Sequence, residues 1–473
     1  MVAVLKELFV AVTGEAPVSV RKLTGDASNR AYYRLTSENH SLIGVIGTSI
    51  EENRAFLSVA KAFFECGLNV PRVLAVSDDE RCYVQDDLGD DTVFTKLRES
   101  REKGSFGRDD VDMLCSVMRA LPDIQFMVPE RLDFSVCYPV SDFDRRAVMW
   151  DLNYFKYCFL KGLDVEFDES ALEDEFELLA DMLLAECGDT FLYRDFQSRN
   201  VMWFNEKPYF IDFQGGRRGP IYYDVASFVG QARAMYTKEV VEMMIDAYME
   251  SLKRYKKVNV EQFRERLHLF RIFRLLQNLG AYGLRGILER KKKFVECIPA
   301  ALEQLGELLA GMDKLVPALC DVIKRVAALD RFVKRDKGQL VLDVFSFSYH
   351  RGIPDDYSGN GGGFVFDCRA IHNPGRYEPY KKLNGMDEEV MRFLEEKSDV
   401  AAFLDNVYSL VDKMVEEFLE RGFSHIQLCF GCTGGQHRSV YCAEHAASHV
   451  AQKYGIRINV NHIMQNVKYT ING

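Results

Sequence analysis

The stretch FLYRDFQSRNVMWFNEKPYFIDFQ, residues 191–214, decides how the rest of the chain is interpreted. It is a β-like island inside a mostly helical pattern, and it places Asp195 shortly before Asn200, with Asp212 in the next apolar run. Phosphoryl transfer requires a carboxylate that orients the attacking hydroxyl, together with oxygen ligands that hold magnesium against the triphosphate. Asp195 fits the first role, and Asn200 and Asp212 fit the second, because Mg²⁺ takes few protein oxygens. The alternative is that these residues only cap turns between strands.

A small sheet domain precedes this stretch. Residues 18–46 contain short alternating and β-branched runs separated by turn signals, which predicts a hairpin sheet. Residues 51–67 have apolar side chains at helical spacing and end at a glycine, as helices commonly do. RVLAVS and CYVQDDLG indicate two further strands. From about Asp109 the periodicity is helical, and it is almost continuously so over Val258–Leu329.

The composition changes after DRFVKRDKGQ, residues 330–339. Apolar, β-rich runs such as LVLDVFSFSY, GFVFDCRAI and HIQLCFG alternate with helical patterns, among them residues 386–421 and the run RSVYCAEHAASHVAQKYG. Alternation of this kind is typical of α/β domains. Seven of the nine histidines also follow this point. We therefore place a domain boundary near residue 338.

Length and composition narrow the class of protein. The 473 residues correspond to about three compact units at roughly 150 residues each. The 60 basic and 71 acidic side chains give a formal charge of −11, which opposes a broad electrostatic footprint for nucleic acid. Twelve irregularly spaced cysteines indicate reduced thiols and a cytoplasmic protein, and we do not interpret the one CxxC pair, Cys429 and Cys432, as a zinc site. The sequence shows no signal peptide and no apolar run long enough to span a bilayer.

The order of motifs over residues 18–330 resembles that of the aminoglycoside phosphotransferases, a branch of the protein-kinase-like fold. YRDFQSRN and IDFQ resemble the catalytic and metal-binding loops, and GPIYYDVASFV resembles the segment whose acid, here Asp224, braces the catalytic loop. GDASNRAYYRL resembles the phosphate-covering turn, and CYVQDDLGDDTVF the interlobe strand that meets adenine. The resemblance implies ATP and Mg²⁺ as cofactors. The nucleotide-binding residues that it implies are Asp26, Ser28, Arg30 and Asp86.

Within that family the chain is most similar to the AmgK-like bacterial cell-wall sugar kinases, through DASxR, YxR, DLGD and DFQ. The resemblance implies phosphorylation of the anomeric hydroxyl of N-acetylmuramate or N-acetylglucosamine. The aromatic-rich segment RRAVMWDLNYFKYCF, residues 145–159, is a candidate lining of the sugar site. Asp151 and Asn153 are its candidate partners for sugar hydroxyls. The alternative for this segment is an amphipathic helix whose aromatic residues lie in the core.

Two features depart from the usual kinase pattern. Tyr193 replaces the histidine that ordinarily precedes the catalytic loop, and the strand SLIGVIG lacks the lysine that clamps phosphates in most kinases. Without that lysine, Glu51 or Glu52 in the following helix lacks its usual partner. The sequence then predicts that it interacts with the metal or only with the helix N-terminus. Because a cationic clamp stabilises the transferred phosphoryl group, an inactive enzyme is one interpretation. The sugar kinases also lack this lysine, so we interpret its absence as a trait of that subfamily.

A second constellation follows the strand HIQLCF. In GCTGGQHRSV, residues 431–440, glycines permit a tight turn with exposed amides, and the start of the next helix favours an anion. His437 and Arg438 add charge, so the loop is a candidate cradle for a phosphate monoester. The spacing of Cys432 and Arg438 also fits C-x5-R-S, the loop of cysteine-dependent phosphatases, in which a thiolate attacks phosphorus. A purely structural glycine turn is the third interpretation.

Residues 340–465 resemble the C-terminal domain of RapZ through SFSYHRGIP, FVFDCRAIHNPG, NGMDEEV and GCTGGQHRSVYCAE, in the same order. The resemblance implies a domain that binds glucosamine 6-phosphate and takes part in recognising a small RNA. The acidic charge balance argues against RNA as a partner here, and the P-loop motif of RapZ does not occur. The phosphate-binding residues that the resemblance and the loop imply are Arg351, Arg369, Asn373, Thr433, Gly434, Gly435, His437, Arg438 and Ser439.

The sequence thus predicts α+β and α/β architecture: a bilobal protein-kinase-like phosphotransferase fold and then a smaller α/β domain like that of RapZ. We expect a small lobe over residues 1–90, a large helical lobe over 91–335 and a sugar-phosphate-binding domain over 338–473. The expected function is a cytoplasmic ATP-dependent anomeric kinase for an amino sugar in peptidoglycan recycling, regulated by hexosamine phosphate. Its expected partners are the amino sugar and its phosphate. We expect no membrane association, and the sequence is compatible with a homo-oligomer. The alternative is a non-catalytic regulator that senses amino-sugar phosphate or binds RNA.

Overall fold

The computed structural model of the protein describes residues 1–23, 30–186, 188–329, 332, 340–356 and 362–472. The chain divides into two compact units, Met1–Leu329 and Asp330–Gly473. Over the described residues, no helix combines the length and the apolar character needed to cross a bilayer.

The first unit begins with a helix packed on an antiparallel sheet. Helix α1 (Val2–Thr13) buries Leu5 and Phe9 fully in a core shared with the sheet. Over the described residues the sheet has the strand order β1-β2-β3-β5-β4, and helix α2 (Ile50–Glu65) follows its third strand. The strands are β1 (Ser19–Lys22), β2 (Ala31–Thr36), β3 (Ser41–Ile46), β4 (Val73–Val76) and β5 (Cys82–Asp86).

The remainder of this unit is mostly helical. Helices form because apolar residues recur at helical spacing, as Phe263, Leu267 and Phe270 do along the longest of them. The helices are α3 (Val93–Lys96), α4 (Arg98–Lys103), α5 (Arg108–Met127), α6 (Arg145–Tyr154), α7 (Glu169–Leu184), α8 (Tyr222–Val229), α9 (Lys238–Leu252), α10 (Val260–Tyr282), α11 (Lys292–Val295), α12 (Ile298–Leu309) and α13 (Pro317–Ala327). Single π-helical turns, Phe155–Leu160 and Gly283–Leu288, continue α6 and α10.

Two short antiparallel strand pairs interrupt the helices and carry the loops of interest. β6 (Thr190–Leu192) pairs with β9 (Arg217–Gly219), and β7 (Val201–Phe204) pairs with β8 (Lys207–Phe210). The segment 193–200 therefore joins β6 to β7, and the segment 211–216 joins β8 to β9. Both loops are fixed at each end by strand pairing.

The second unit is an α/β domain. Its sheet, over the described residues, has the order β11-β12-β10-β13-β14, in which only the pairing of β14 with β13 is antiparallel. The strands are β10 (Val341–Ser348), β11 (Gly363–Asp367), β12 (His425–Cys432), β13 (Arg457–His462) and β14 (Val467–Ile471). The helices are α14 (Glu388–Lys397), α15 (Val400–Glu420) and α16 (Arg438–Tyr454).

The core of this unit positions the loop after β12. Every residue of β12 is buried, as expected for a parallel strand with neighbours on both sides. Ser348 at the end of β10 lies in register with Cys432 at the end of β12, so both strands end at the same edge of the sheet. Ligands of parallel α/β sheets bind at this carboxyl edge. The chain turns there directly into α16.

Candidate active site

A buried carboxylate fixes the backbone of the loop that carries Asp195. Asp224 on α8 accepts hydrogen bonds from the backbone N–H groups of Tyr193 (2.8 Å) and Arg194 (3.1 Å). Its side chain has no solvent exposure, and burial raises the pKa of Asp224 to about 7 although these two N–H groups lower it. Arg194 has a left-handed backbone (φ 84), a strained state for a non-glycine residue. The bonds to Asp224 therefore fix the backbone that precedes the half-buried Asp195.

Asn200 and Asp212 lie together, as a shared metal site requires. The amide Nδ2 of Asn200 donates to the Asp212 carboxylate at 3.2 Å and to the backbone oxygen of Asp195 at 3.1 Å. Gln214 donates to the other Asp212 oxygen at 2.8 Å. These bonds bring the three residues of the predicted phosphoryl-transfer set into one cluster.

The charge balance of this cluster favours a cation. Burial and the nearby Asp195 carboxylate raise the pKa of Asp212, although the hydrogen bond from Gln214 lowers it. A divalent cation relieves this repulsion between carboxylates. Oxygen donors from an amide and a carboxylate suit Mg²⁺. The residues present therefore fit the metal that the sequence implies.

Tyr193 has a specific partner in the position where histidine is usual. Its hydroxyl donates to the backbone oxygen of Ile211 at 2.5 Å, immediately before Asp212. Its ring packs edge-on against Phe213. Burial raises the pKa of Tyr193 well above its ordinary value, so the hydroxyl stays protonated and remains a donor. The substitution thus keeps a hydrogen bond between the two loops.

Aromatic packing connects the loop of Asp212 to helix α2. The Phe213 ring stacks on Phe56 with 5.0 Å between centroids and lies 4.8 Å from Phe63. Asp212 itself has a left-handed backbone (φ 67). Packing on the next residue holds this strained conformation, which turns the carboxylate toward Asn200.

Glu52 pairs with an arginine where most kinases have a lysine. The Arg30 Nη2 donates to the backbone oxygen of Glu52 at 3.1 Å and lies 3.4 Å from its carboxylate. Arg30 is only 5% exposed, and its guanidinium lies over the Phe56 ring at 5.3 Å. Its charge is also among those that lower the pKa of Asp212. Glu52, which the sequence assigns to the metal or to the helix N-terminus, therefore has a cationic partner beside the cluster.

Of the other predicted nucleotide-binding residues, the structure describes only Asp86. Asp26 and Ser28 lie outside the described residues. The carboxylate of Asp86 is held by the Arg72 side chain and backbone N–H, each at 3.0 Å. The Asp86 side chain is therefore already engaged at the β4–β5 pair.

The two predicted sugar partners have different surroundings. Both Asp151 oxygens accept hydrogen bonds from Arg194, at 3.0 and 3.1 Å. Asp151 therefore forms an ion pair with Arg194, and its contact with a sugar hydroxyl stays a prediction. Asn153 is half-buried on α6 and makes no side-chain hydrogen bond to another described residue, so its amide is available.

Sequence reasoning missed two arginines next to this loop. Arg194 is half-buried against Asp151, and although desolvation lowers its pKa, the Tyr223 phenol and the Asp151 carboxylate raise it overall. Arg217 on β9 is 3% exposed, and burial and the neighbouring Arg194 lower the pKa of Arg217 to about 10. Its Nε and Nη2 share the backbone oxygen of Gly215. The sequence signal was the RD pair at 194–195 and the RR pair at 217–218.

In the second unit, the loop between β12 and α16 has the shape of a cradle. Gly435 requires glycine, because its φ is +69 and a Cβ there would lie 2.5 Å from Met464 and 2.8 Å from the Ser348 nitrogen. A Cβ on Gly434 would meet no atom within 4 Å, so that side of the loop is open. Thr433 is exposed, and its backbone oxygen accepts the Ser348 hydroxyl at 2.6 Å.

The charged side chains of this loop are anchored through the backbone of neighbouring segments. The His437 Nε2 lies 2.8 Å from the backbone oxygen of Tyr380. The Arg438 Nη1 donates to the backbone oxygens of Arg369 (2.8 Å) and Ile371 (2.9 Å). Arg438 is 5% exposed, so it is a buried cation at the start of α16.

The other members of the predicted phosphate set have different surroundings. Arg369 pairs with Asp367 through several hydrogen bonds and lies 4.0 Å over the Tyr349 ring. The Asn373 side chain accepts the backbone N–H of Gly375 at 3.1 Å. Arg351 is exposed just after β10. Ser439 lies fully buried, beside Cys432.

Comparisons with known proteins match both units. The model of the phosphotransferase enzyme family matches residues 19–261, and that of the RapZ C-terminal domain matches residues 340–466. A nucleotide-binding protein of Nitrosomonas eutropha is 36% identical over 156 residues, which cover 32% of this chain and 52% of that protein. One of Dinoroseobacter shibae is 40% identical over 120 residues, or 25% and 38% of the two chains. The chain thus spans about half or less of the length of these relatives.

Solved structures of two phosphotransferases align with the chain. The ADP-bound aminoglycoside phosphotransferase APH(2'')-Ib aligns at 12% identity with a TM-score of 0.45, over 65% of this chain and 99% of its own. The choline kinase LicA from Streptococcus pneumoniae aligns at 13% identity with a TM-score of 0.46, over the same shares.

Proposed function

This chain belongs to the phosphotransferase enzyme family, and from that premise we propose that it is an ATP-dependent kinase for the anomeric hydroxyl of an amino sugar. The sugar is of the N-acetylmuramate or N-acetylglucosamine type, in peptidoglycan recycling. One observation carries the proposal: Asn200 Nδ2 links the Asp212 carboxylate to the Asp195 backbone at 3.2 and 3.1 Å. This cluster combines a base with a pair of metal ligands, as phosphoryl transfer needs.

Each residue of the cluster has a distinct role in this proposal. Asp195 orients the sugar hydroxyl and accepts its proton as the oxygen attacks the γ-phosphate. Asn200 and Asp212 hold Mg²⁺, which supplies positive charge to the phosphates of ATP. Arg30, fixed by Glu52, lies beside this cluster and replaces the missing lysine as the cationic clamp. Asp26 and Ser28, which lie outside the described residues, are assigned to phosphate binding by the resemblance, and the backbone near Asp86 to adenine.

The sugar site is proposed to adjoin helix α6. In this proposal Asn153 contacts a sugar hydroxyl. Asp151 acts indirectly, because it holds the side chain of Arg194, the residue that precedes the base Asp195. The choice of an amino sugar rests on the resemblance of the first unit to cell-wall sugar kinases and of the second to RapZ. These two likenesses are independent, and both lead to phosphorylated amino sugars.

The second unit is proposed to bind a hexosamine phosphate and to regulate the kinase. Its cradle combines the open side of Gly434 with the amides that precede α16, an arrangement suited to a phosphate. We assign the small lobe to residues 1–90, the large lobe to 91–335 and this domain to 338–473. The cytoplasm is the proposed location, because the described cysteines are all free thiols.

The decisive experiment is a panel of amino sugars incubated with ATP, with NMR assignment of the phosphorylated carbon. At early reaction times we expect a 1-phosphate product from the wild type and none from Asp195→Asn, which keeps the shape of the side chain but removes the base. Asp246→Asn, an exposed carboxylate on α9, is the matched control and keeps full activity. Turnover by Asp195→Asn at the wild-type rate contradicts the kinase assignment, and a product phosphorylated elsewhere contradicts the anomeric position.

A further inference from the structure

Cys432 occupies a position that the proposed kinase does not use. It is the last residue of the central strand β12, and the loop 433–437 leads from it into the 17-residue helix α16. It therefore lies at the carboxyl edge of the parallel sheet and under the N-terminus of a long helix. Both features favour a negatively charged group.

The Cys432 sulfur is surrounded by hydrogen-bond donors. The backbone N–H of Gly435 donates to Sγ at 3.2 Å, and the Ser439 hydroxyl lies 3.1 Å from it. Burial raises the pKa of the Cys432 thiol, but hydrogen bonds from Ser439 and Gln436 and the charge of Arg438 outweigh burial and lower it overall. The loop thus stabilises a thiolate.

Other cysteines of this unit show the opposite behaviour. Burial raises the pKa of Cys429, three positions earlier on the same strand, to about 12. Burial also raises the pKa of Cys368 well above its ordinary value. Only the loop residues distinguish Cys432 from these inert thiols, because all three side chains are buried.

Arg438 supplies the second half of an anion site. Its Nη1 is fixed by the backbone oxygens of Arg369 and Ile371, whereas its buried Nε has no hydrogen-bond partner. Among the residues that the structure describes, no carboxylate pairs with this 95%-buried cation. A buried, preorganised guanidinium with unused donors is suited to phosphate oxygens.

We propose that Cys432 is the nucleophile of a second active site, which hydrolyses a phosphate monoester through a phosphocysteine intermediate. Arg438 and the loop amides bind the non-bridging oxygens, and Ser439 holds the thiolate. The site is the loop to which the proposed function assigns phosphate binding, and hydrolysis is added to that binding; it does not depend on the proposed kinase activity.

The reaction balances with water as the only co-reactant. The Cys432 thiolate attacks phosphorus, so that a sulfur–phosphorus bond forms and the bond from phosphorus to the ester oxygen breaks. The departing oxygen takes a proton from water and leaves as the alcohol. A water molecule then attacks phosphorus, the sulfur–phosphorus bond breaks, and inorganic phosphate and the thiolate are released.

The residues near the loop also indicate which phosphate monoesters react fastest. Asp367 is hydrogen-bonded to Arg369, and the charge of Arg438 also reaches it; both interactions lower the pKa of Asp367 and make it a poor proton donor. When Asp367 gives no proton to the leaving group, esters of more acidic alcohols react faster. The hemiacetal oxygen of a sugar 1-phosphate and the phenol of an aryl phosphate meet this condition. An ordinary sugar 6-phosphate does not.

The test uses the full chain without ATP, and it compares 4-nitrophenyl phosphate, glucosamine 1-phosphate and glucosamine 6-phosphate. We expect release of phosphate from the first two esters at the higher rates, and a phosphorylated Cys432 peptide after acid quenching. Cys432→Ser is expected to lose about 100-fold or more in rate. Cys429→Ser, the buried neighbour on the same strand, is the control and keeps the wild-type rate.

Ser439→Ala keeps the proposal falsifiable if Cys432→Ser fails to fold. Loss of the hydroxyl is expected to move the acidic limb of the pH–rate profile to higher pH, which a purely structural role would not do. Equal rates in wild type and Cys432→Ser overturn the proposal, as does a phosphate label on any other residue. A faster reaction with the 6-phosphate overturns the assigned substrate class.

Discussion

Arg194 and Asp151 form a two-point ion pair in which Nη1 and Nη2 of the arginine donate to the two carboxylate oxygens at 3.0 and 3.1 Å. Arg194 directly precedes Asp195, and Asp151 is on helix α6. The backbone N–H of the same arginine is held by Asp224. The position of the proposed base therefore depends on two buried carboxylates that approach its neighbour from different helices.

Asp151→Asn is expected to lower the free energy of unfolding of the first unit by about 1–3 kcal/mol, because it leaves the half-buried Arg194 without a charged partner. It should lower kcat more than it changes KM for the sugar. Urea unfolding followed by tryptophan fluorescence measures the effect, since both tryptophans, Trp150 and Trp203, are in this unit. Asp321→Asn breaks an exposed pair with Arg325 and is the control, with a loss below about 1 kcal/mol. A raised KM with unchanged stability would instead support direct sugar binding by Asp151.

Asp224 should make the stability of the first unit depend on pH. Burial raises its pKa to about 7 in the folded protein, so the native state keeps a proton that the unfolded chain releases near its ordinary value of 3.8. The free energy of unfolding therefore falls as the pH rises from about 4 to about 7, by at most about 1.4 kcal/mol per pH unit. Asp224→Asn lacks this contribution, and its unfolding free energy should fall less steeply. Parallel curves for the two proteins, measured by urea unfolding across this range, would contradict the assignment.

Asp212→Asn should weaken metal binding and at the same time raise the stability of the metal-free protein. Loss of the carboxylate is expected to reduce Mg²⁺-dependent ATP affinity more than about tenfold. The metal-free protein should become more stable at neutral pH, because the variant removes a buried charge that the Asp195 carboxylate repels. Calorimetry with ATP, with and without Mg²⁺, and urea unfolding measure the two effects. Unchanged Mg²⁺ dependence would remove Asp212 from the metal site.

The sequence predicted the fold class correctly, because strong patterns mark its elements. The family matches to residues 19–261 and 340–466 confirm a phosphotransferase fold followed by a RapZ-type domain. The alternation of β-rich runs with helical patterns after residue 340 predicted an α/β unit. The strands β10, β11 and β12 of that unit are indeed parallel to one another. Helix α1 was missed, since Lys6 and Glu7 obscure its apolar face, although Leu5 and Phe9 are fully buried on the sheet. The predicted helix 386–421 is two helices, which separate at Ser398 and Asp399.

The site was harder to predict because pairing across distant segments decides it. The spacing within 193–214 identified Asp195, Asn200 and Asp212, which are close in sequence. The partner of Arg194 lies 43 positions away and that of Arg30 lies 22 away, so no local pattern reveals either pair. Asp151 was assigned to the sugar for that reason. Whether a buried carboxylate meets a ligand or an arginine is set by tertiary packing.

Gly435 and Gly434 offer a matched test of the cradle. Gly435→Ala places a methyl group 2.5 Å from Met464 on a left-handed backbone, so it should lower the stability of the second unit by about 1–3 kcal/mol and abolish the preference for a phosphorylated sugar. Gly434→Ala meets no atom within 4 Å and should leave stability within about 0.5 kcal/mol of wild type, with phosphate recognition retained. Calorimetry with glucosamine 6-phosphate and with glucosamine measures the preference. If Gly435→Ala still distinguishes the two sugars as the wild type does, the loop after β12 is a structural turn and the phosphate binds elsewhere.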